Sequence, residues 1–394
     1  MLRKTLSAAS VLVCLAGAAF AQGLGGPSSV QADLQPGDGL TDPQFRSDFP
    51  VNIAPGYFRW KEGLAENGFS FNFDYLSLGQ WSDSDLGEGN ASGGIFRFYG
   101  NWKATENGSL TFKLENRHAY GNVAPQNFGF DGGALSITGT AFNDNGTLLT
   151  NLFWTQRADD GAWSFQIGQI DVTDFVDVYG LVSPHTAFQN LAFNTNPTIN
   201  APNPGLAIAG GARLGSNFYV TGAIADANAD PSSPDLDVFS DGELFKSVEI
   251  GYTSGFDRIY FDNIHFTFWH ADKAGDGSRR EDYGATFSAA WFLENKWMPF
   301  FRAGTSKGRA ALYEKSVSAG LGYYARNTDL AGIGLNWAEA DGISGDQKTI
   351  EAFYRFSISP NLQITPSVQH IKDPLLTSDK SSITLFGLRA RIVF

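Results

Sequence analysis

Between about residue 68 and the C-terminus, short polar turns alternate with long Gly/Asp-rich loops, and strand-like segments separate them. The short connections fall at 104–108, 158–161, 214–217, 254–258, 293–296, 325–328 and 359–361. The long ones fall at 82–93, 121–150, 171–204, 227–244, 272–281, 305–315, 339–348 and 372–380. Seven short and eight long connections imply sixteen strands. A soluble sandwich has no reason to keep every second connection short, whereas a transmembrane barrel turns tightly at one rim and carries its working loops at the other. The expected fold is therefore all-β: a transmembrane antiparallel β-barrel of about 16 strands over 68–394, with long extracellular loops and short periplasmic turns. The even count brings both chain ends to the tight-turn rim.

A barrel also demands alternation, apolar toward lipid and polar toward the lumen. In 109–119, Leu110, Phe112 and Leu114 alternate with Thr111, Lys113, Glu115 and Arg117. In 245–253, Val248, Ile250 and Tyr252 alternate with Ser247, Glu249 and Gly251. In 349–358, Ile350, Ala352, Tyr354, Phe356 and Ile358 alternate with Glu351, Phe353, Arg355 and Ser357. The last strand places Phe386, Leu388, Ala390, Ile392 and Phe394 on one face, with Gly387, Arg389 and Arg391 on the other. A final strand closing on an aromatic residue resembles the signal read by outer-membrane assembly machinery, which makes Phe394 the expected contact. Trp102, Trp163, Trp291 and Trp297 each flank a short turn, where an interfacial belt belongs.

The N-terminus reads as an export signal over 1–21. Arg3 and Lys4 start it, 6–15 is apolar, and Ala19-Phe20-Ala21 is a small-x-small cleavage site. Cys14, the only cysteine, falls inside this segment, and Val13 before it is not the small residue of a lipoprotein signal. Disulfides and thiolate metal sites are thereby excluded from the exported chain. Residues 22–67 are Gly-, Pro- and polar-rich up to about Tyr57 and read as a flexible periplasmic lead. A short helix is expected at 60–66, at the rim or partly plugging it. No other stretch approaches the roughly 20 apolar residues of a spanning helix. A mean hydropathy of −0.18 beside 14% aromatics fits strands wetted on one side and lipid-bathed on the other.

The formal charge is −13 and more negative still without Arg3 and Lys4. Much of the acid lies in loops such as Ser82-Asp83-Ser84-Asp85-Leu86-Gly87-Glu88, suited to a solvated surface or to cations bridging lipopolysaccharide. Nucleic acid is excluded as a partner, because no basic stripe is present to release its counterions.

Selectivity in a pore is set by what lines its narrowest part. Alternation assigns Arg97, Lys113, Glu115, Arg117, Arg157, Glu249, Arg302, Glu351, Phe353, Arg355, Arg389 and Arg391 to the lumen. Arginine and carboxylate together suit sugar hydroxyls, since one donates and the other accepts. The same charges also suit cross-strand pairs that hold a barrel wall together. The third long loop opens Asp171-Val172-Thr173-Asp174-Phe175-Val176-Asp177-Val178-Tyr179, so Asp171, Asp174, Asp177 and Tyr179 are constriction candidates if it folds inward. Calcium is disfavoured there, because the tight glycine turn and the further oxygen ligands are missing. The five histidines (His118, His185, His265, His270 and His370) are scattered, and HExxH spacing is absent. Catalysis, metals and cofactors are accordingly not expected.

From about Trp60 onward the chain resembles the carbohydrate-selective porins of the OprB type. The resemblance is carried by Gly63-Leu64-Ala65-Glu66-Asn67-Gly68-Phe69, Gly93-Gly94, Ile167-Gly168-Gln169-Ile170-Asp171 with Asp174 and Asp177, and Val248-Glu249-Ile250-Gly251-Tyr252. The closing stretch adds Asp329-Leu330-Ala331-Gly332-Ile333-Gly334, Glu351-Ala352-Phe353-Tyr354-Arg355 and Ile364-Thr365-Pro366-Ser367-Val368-Gln369-His370-Ile371-Lys372-Asp373-Pro374. It implies a sixteen-stranded outer-membrane channel for monosaccharides such as glucose, with Glu351 and Arg355 near the sugar, and a possible homo-oligomer. Loop divergence leaves the preferred sugar open. A non-selective porin is the alternative within this class, and a closed structural or adhesive barrel the alternative outside it.

Overall fold

The hairpin rhythm of the sequence closes into a cylinder. The computed structural model describes residues 25–34, 54–275, 277, 279–325, 329–359 and 361–394. Sixteen antiparallel strands follow one another around a closed barrel. They are β1 Phe69–Ser82, β2 Asn90–Lys103, β3 Gly108–Ala119, β4 Gly146–Arg157, β5 Trp163–Ile170, β6 Gly205–Leu214, β7 Phe218–Asp226 and β8 Leu244–Thr253 in the first half. The second half is β9 Asn263–Ala271, β10 Asp282–Ala290, β11 Trp297–Ser306, β12 Lys315–Ala325, β13 Asp329–Glu339, β14 Gln347–Ser359, β15 Leu362–Lys372 and β16 Ser382–Val393. Strand β1 closes the cylinder on β16 in register from Asp74↔Val393 to Ser82↔Leu385. Closure pairs both edges, which is what lets a sheet sit in lipid.

The outward face is apolar. Phe96, Val248, Ile250, Phe266, Phe268, Ile333, Leu335, Phe386 and Leu388 are all exposed. An apolar surface of this extent has no place in water and marks the lipid-facing wall. Trp102, Trp163 and Trp297 are exposed beside short connections, as an interfacial belt requires.

The long connection 171–204 begins and ends where the sequence reading places it. Elsewhere the two differ. The connection read as a tight turn at 254–258 runs from 254 to 262 and contains a turn of 3-10 helix at Phe256–Arg258. The Ser254 hydroxyl and Arg258 Nε both donate to Asp262 Oδ2 at 2.6 Å, and this local polar network delays the start of β9. Strand β4 begins at Gly146, inside the expected second loop.

The lead segment also differs from the expectation of a flexible tether. Helix α1, Val30–Asp33, is capped by the Ser29 hydroxyl, and Val30 is 1% exposed within the barrel. Helix α2, Pro55–Glu66, starts earlier than expected, with proline in its first turn and no buried residue. It lies at the rim, where Lys61 Nζ donates to Asn72 Oδ1 at 2.7 Å and to the Phe394 carbonyl at 2.9 Å. The expected signal segment 1–21 lies outside the described residues.

The core of the molecule is its lumen. Val178, Tyr179, Leu181, Val182, Phe188 and Phe193 of the third loop pack on Met298, Phe300 and Phe353 of the wall. Glycines on the inner face make this approach possible. A Cβ on Gly334 would meet Phe193 Cε1 at 2.6 Å, and one on Gly322 would meet Leu181 Cδ1 at 2.9 Å. Strand glycines here mark close approach of another segment rather than a bend. The second long loop (120–145) turns inward as well, burying Phe128 and Phe142. It joins the third through Leu191 N–H to the Ile137 carbonyl at 3.0 Å and Thr140 N–H to the Gln189 carbonyl at 2.9 Å.

Candidate functional site

Every charge that alternation assigned to the lumen points inward, and most engage the loops folded within it. Asp177 is the most heavily bonded. It accepts from Arg302 Nη2, from His265 Nε2 at 3.0 Å and from the Thr286 hydroxyl at 3.1 Å. Its own N–H donates to Glu249 Oε2 at 3.0 Å. Glu249 also accepts from the Tyr219 and Thr267 hydroxyls at 3.0 and 2.8 Å. Residues of β9, β10 and β11 thus grip one loop carboxylate, while Glu249 of β8 holds the same residue by its backbone N–H. Asp177 takes a positive φ of 56°, a strained conformation that this grip holds in place.

Glu351 receives the Gln189 N–H at 2.7 Å and the Asn190 N–H at 2.9 Å, one on each oxygen. It therefore holds the third loop, and both its oxygens are already engaged there. Tyr179 donates to the Phe193 carbonyl at 2.6 Å and is fully buried within the loop, and Phe353 packs on Phe188 with centroids 4.9 Å apart. Lys113 Nζ and Asn151 Nδ2 reach Asp174 Oδ2 at 3.4 and 3.1 Å, while Asp171 caps the turn by accepting from Thr173 N–H at 3.1 Å. Glu115 pairs with Arg117 on the same strand, and Arg157 Nη2 donates to the Ser109 hydroxyl at 3.3 Å. Asp174 lies in the loop rather than in a strand, and burial lifts its carboxyl to about 7 against the pull of Lys113.

One place stands apart. Four arginines on three strands surround residues 184–187 of the third loop. Arg389 Nη1 and Nη2 donate to the Pro184 and Ala187 carbonyls, the second at 3.0 Å. Arg355 Nη1 donates to the Thr186 carbonyl at 3.4 Å, and Arg97 Nη1 lies 3.0 Å from His185 Nδ1. Arg97 also forms a two-point pair with Asp74, its register partner on β1. Arg391 Nε donates to Asp74 Oδ2 at 3.0 Å, completing the group. Burial, with Arg97 beside it, pushes His185 well below the usual imidazole range, so its ring is neutral.

Sequence reasoning did not single out Asp74, His185 or Asp33, all of which belong to this group. Asp74 carried a signal, since a lone acid on the lumen face of β1 sits directly across from Arg97. Asp33 carried none. Among the described residues, no group of His, Cys, Asp and Glu is arranged to hold a metal.

The carbohydrate-selective porin family, OprB, matches residues 104–270 and 252–394 of this sequence. The chain belongs to the OprB family. As an OprB-family porin it is an outer-membrane channel and not an enzyme. The barrel is similar to the high-pH structure of Pseudomonas putida OprB, with 14% identity and a TM-score of 0.69 over 86% of this chain and 97% of that one. The low-pH structure of the same protein matches at 12% identity and a TM-score of 0.51, over 89% of this chain and 98% of that one. A mutant of the Rh. blastica porin matches at 11% identity and a TM-score of 0.53, over 83% of this chain and all of that one. At these identities the structures speak for the fold alone. No curated protein sequence matches this OprB-family chain.

Proposed function

We propose that this porin lets small sugars of the monosaccharide class diffuse passively into the cell, entering from the long-loop rim and leaving at the short-turn rim. The reading rests on the convergence of Arg97, Arg355, Arg389 and Arg391 around residues 184–187, where the third loop narrows the barrel. Guanidinium groups donate in fixed directions that match vicinal hydroxyls. Contacts of this kind are weak enough to release, as conduction requires.

The packed lumen gives the closed structural or adhesive barrel a specific observation in its favour, because Arg97, Tyr99 and Arg391 are at most 2% exposed. Single-channel conductance in a planar bilayer, titrated with glucose and then other sugars, separates the readings. Saturable block by some sugars and not others supports the selective channel. An open channel without block makes it a general porin, and no conductance at all makes it a closed barrel.

A further inference from the structure

Residues 25–34 lie inside the barrel without belonging to its wall. One end of the segment sits near the short-turn rim, where Asn72 Nδ2 donates to the Asp33 carbonyl at 3.3 Å and Asn72 Oδ1 accepts from Lys61 of helix α2. Gln31 Nε2 donates to the Thr111 hydroxyl at 3.0 Å, and the Asp33 carboxylate accepts from Arg97 at 2.9 Å and from Arg391 at 3.0 Å. At the other end the Gly26 N–H donates to the Asp174 carbonyl of the third loop at 2.7 Å. The segment is thus wedged between the third loop and one side of the wall, made by β16, β1, β2 and β3. Glycine is what lets its tip close on the loop, since a Cβ on Gly26 would lie 3.0 Å from both the Asp174 carbonyl oxygen and Val178 Cβ.

The wedge is held weakly. The cylinder closes without it, because β1 pairs directly with β16 and the segment adds no strand. Val30 is the one buried residue of helix α1, and a helix of a single turn has little stability of its own. Ordering the segment costs conformational entropy comparable to what one buried valine and a few hydrogen bonds return. The third loop, by contrast, seats a cluster of apolar side chains against Met298, Phe300 and Phe353. Of the two elements that fill the lumen, the N-terminal segment is the one that leaves first.

We propose that residues 25–34 form a removable plug. Seated, the segment closes the passage between the third loop and the β16–β3 side of the wall. Released toward the short-turn rim, it opens that passage. With the plug seated, Arg97, Tyr99 and Arg391 are at most 2% exposed, so a lumen this packed is the closed state of a conducting channel. The inference rests on the chain being a channel and concerns when it conducts, whichever solute it takes.

The test is single-channel recording of the full chain carrying Gly26→Cys with Val178→Cys, and Cys14→Ser so that no other thiol is present. The Cβ separation needs only a small shift to accept a disulfide. Reduced, the channel should switch between a closed and an open level. Oxidised, the open level should vanish, and reduction should restore it in the same protein. Identical traces in the two states overturn the plug.

A second variant loosens the seat. Val30→Gly with Gln31→Ala removes the buried side chain and the bond to Thr111 while leaving every lumen charge in place. The ratio of open to closed time should rise roughly tenfold or more, with the conductance of the open level unchanged. Unchanged dwell times overturn the plug, whatever the open level does. Glucose titration of this variant keeps the two readings apart. Longer openings that no sugar blocks leave the plug standing and overturn the sugar channel, whereas sugar block with unchanged dwell times does the reverse. No conductance in any form overturns both.

Discussion

Asp33 and Arg391 stand 358 positions apart in the chain and meet at 3.0 Å inside the barrel. Arg391 belongs to the strand that closes the cylinder, and its Nε also reaches Asp74 on the first strand. One guanidinium therefore ties the N-terminal segment to both strands of the closing seam. The charges of the lumen are a fastening system first, and whatever they offer a solute is what the fastening leaves over.

Asp74 is the test of that fastening. It is fully buried and takes bonds from both Arg97 and Arg391. Asp74→Asn removes the wall carboxylate that both guanidinium groups share, and breaking a buried pair this way costs about 3–5 kcal/mol. The urea midpoint for unfolding from lipid vesicles should fall accordingly. An unchanged midpoint would mean that water already screens this cluster.

The glycine strip makes a separate claim, about shape rather than charge. Gly334→Val places methyl groups where the Phe193 ring now lies, 2.6 Å from where even a Cβ would be. Strand β13 is paired on both sides and cannot yield, so the third loop must move. Conductance should rise or become noisy while barrel folding, followed by heat-modifiable mobility, is retained. A quiet channel of unaltered conductance would show that the loop repacks without shifting.

The strand count and the bounds of the 171–204 loop were legible because hairpin rhythm is local, and each strand announces its own inner face by alternation. Arg302 and Glu351 could be placed in the lumen on that basis alone. Their partners could not. The contacts of Glu351 with Gln189 and Asn190 span some 160 positions, and nothing in a period-two pattern says which loop returns to which wall. Gly332 and Gly334 were a readable signal for that return, since glycines on the inner face of a strand invite something to sit there. Asp33 had no such signal, being one acid in a Gly/Pro-rich stretch whose importance comes only from where the stretch goes.

Phe266 tests the orientation of the wall. It is 53% exposed on β9, flanked by the fully buried His265 and Thr267. Phe266→Arg on a lipid-facing wall costs about 2–4 kcal/mol near the bilayer midplane. Thr267→Ser, which keeps the hydroxyl bond to Glu249, should cost far less. Folding titrations into vesicles compare the two. A tolerant Phe266 and a sensitive Thr267 would place the lipid on the wrong side of this strand.

Asp174 predicts a pH response. Burial raises its carboxyl from 3.8 to about 7, so the folded protein takes up this proton more readily than an unfolded chain does. The seating of the third loop is accordingly strengthened as pH falls from above 7 toward 4, and weakened above 7. Protonation also removes the counter-charge 3.4 Å from Lys113, leaving the lumen more positive. In a salt gradient, the reversal potential should shift toward anion preference as pH falls, with a midpoint near 7. Asp174→Asn should hold the acid-side value throughout that range. A variant that kept the midpoint would assign the titration to another group and leave Asp174 ionised at neutral pH.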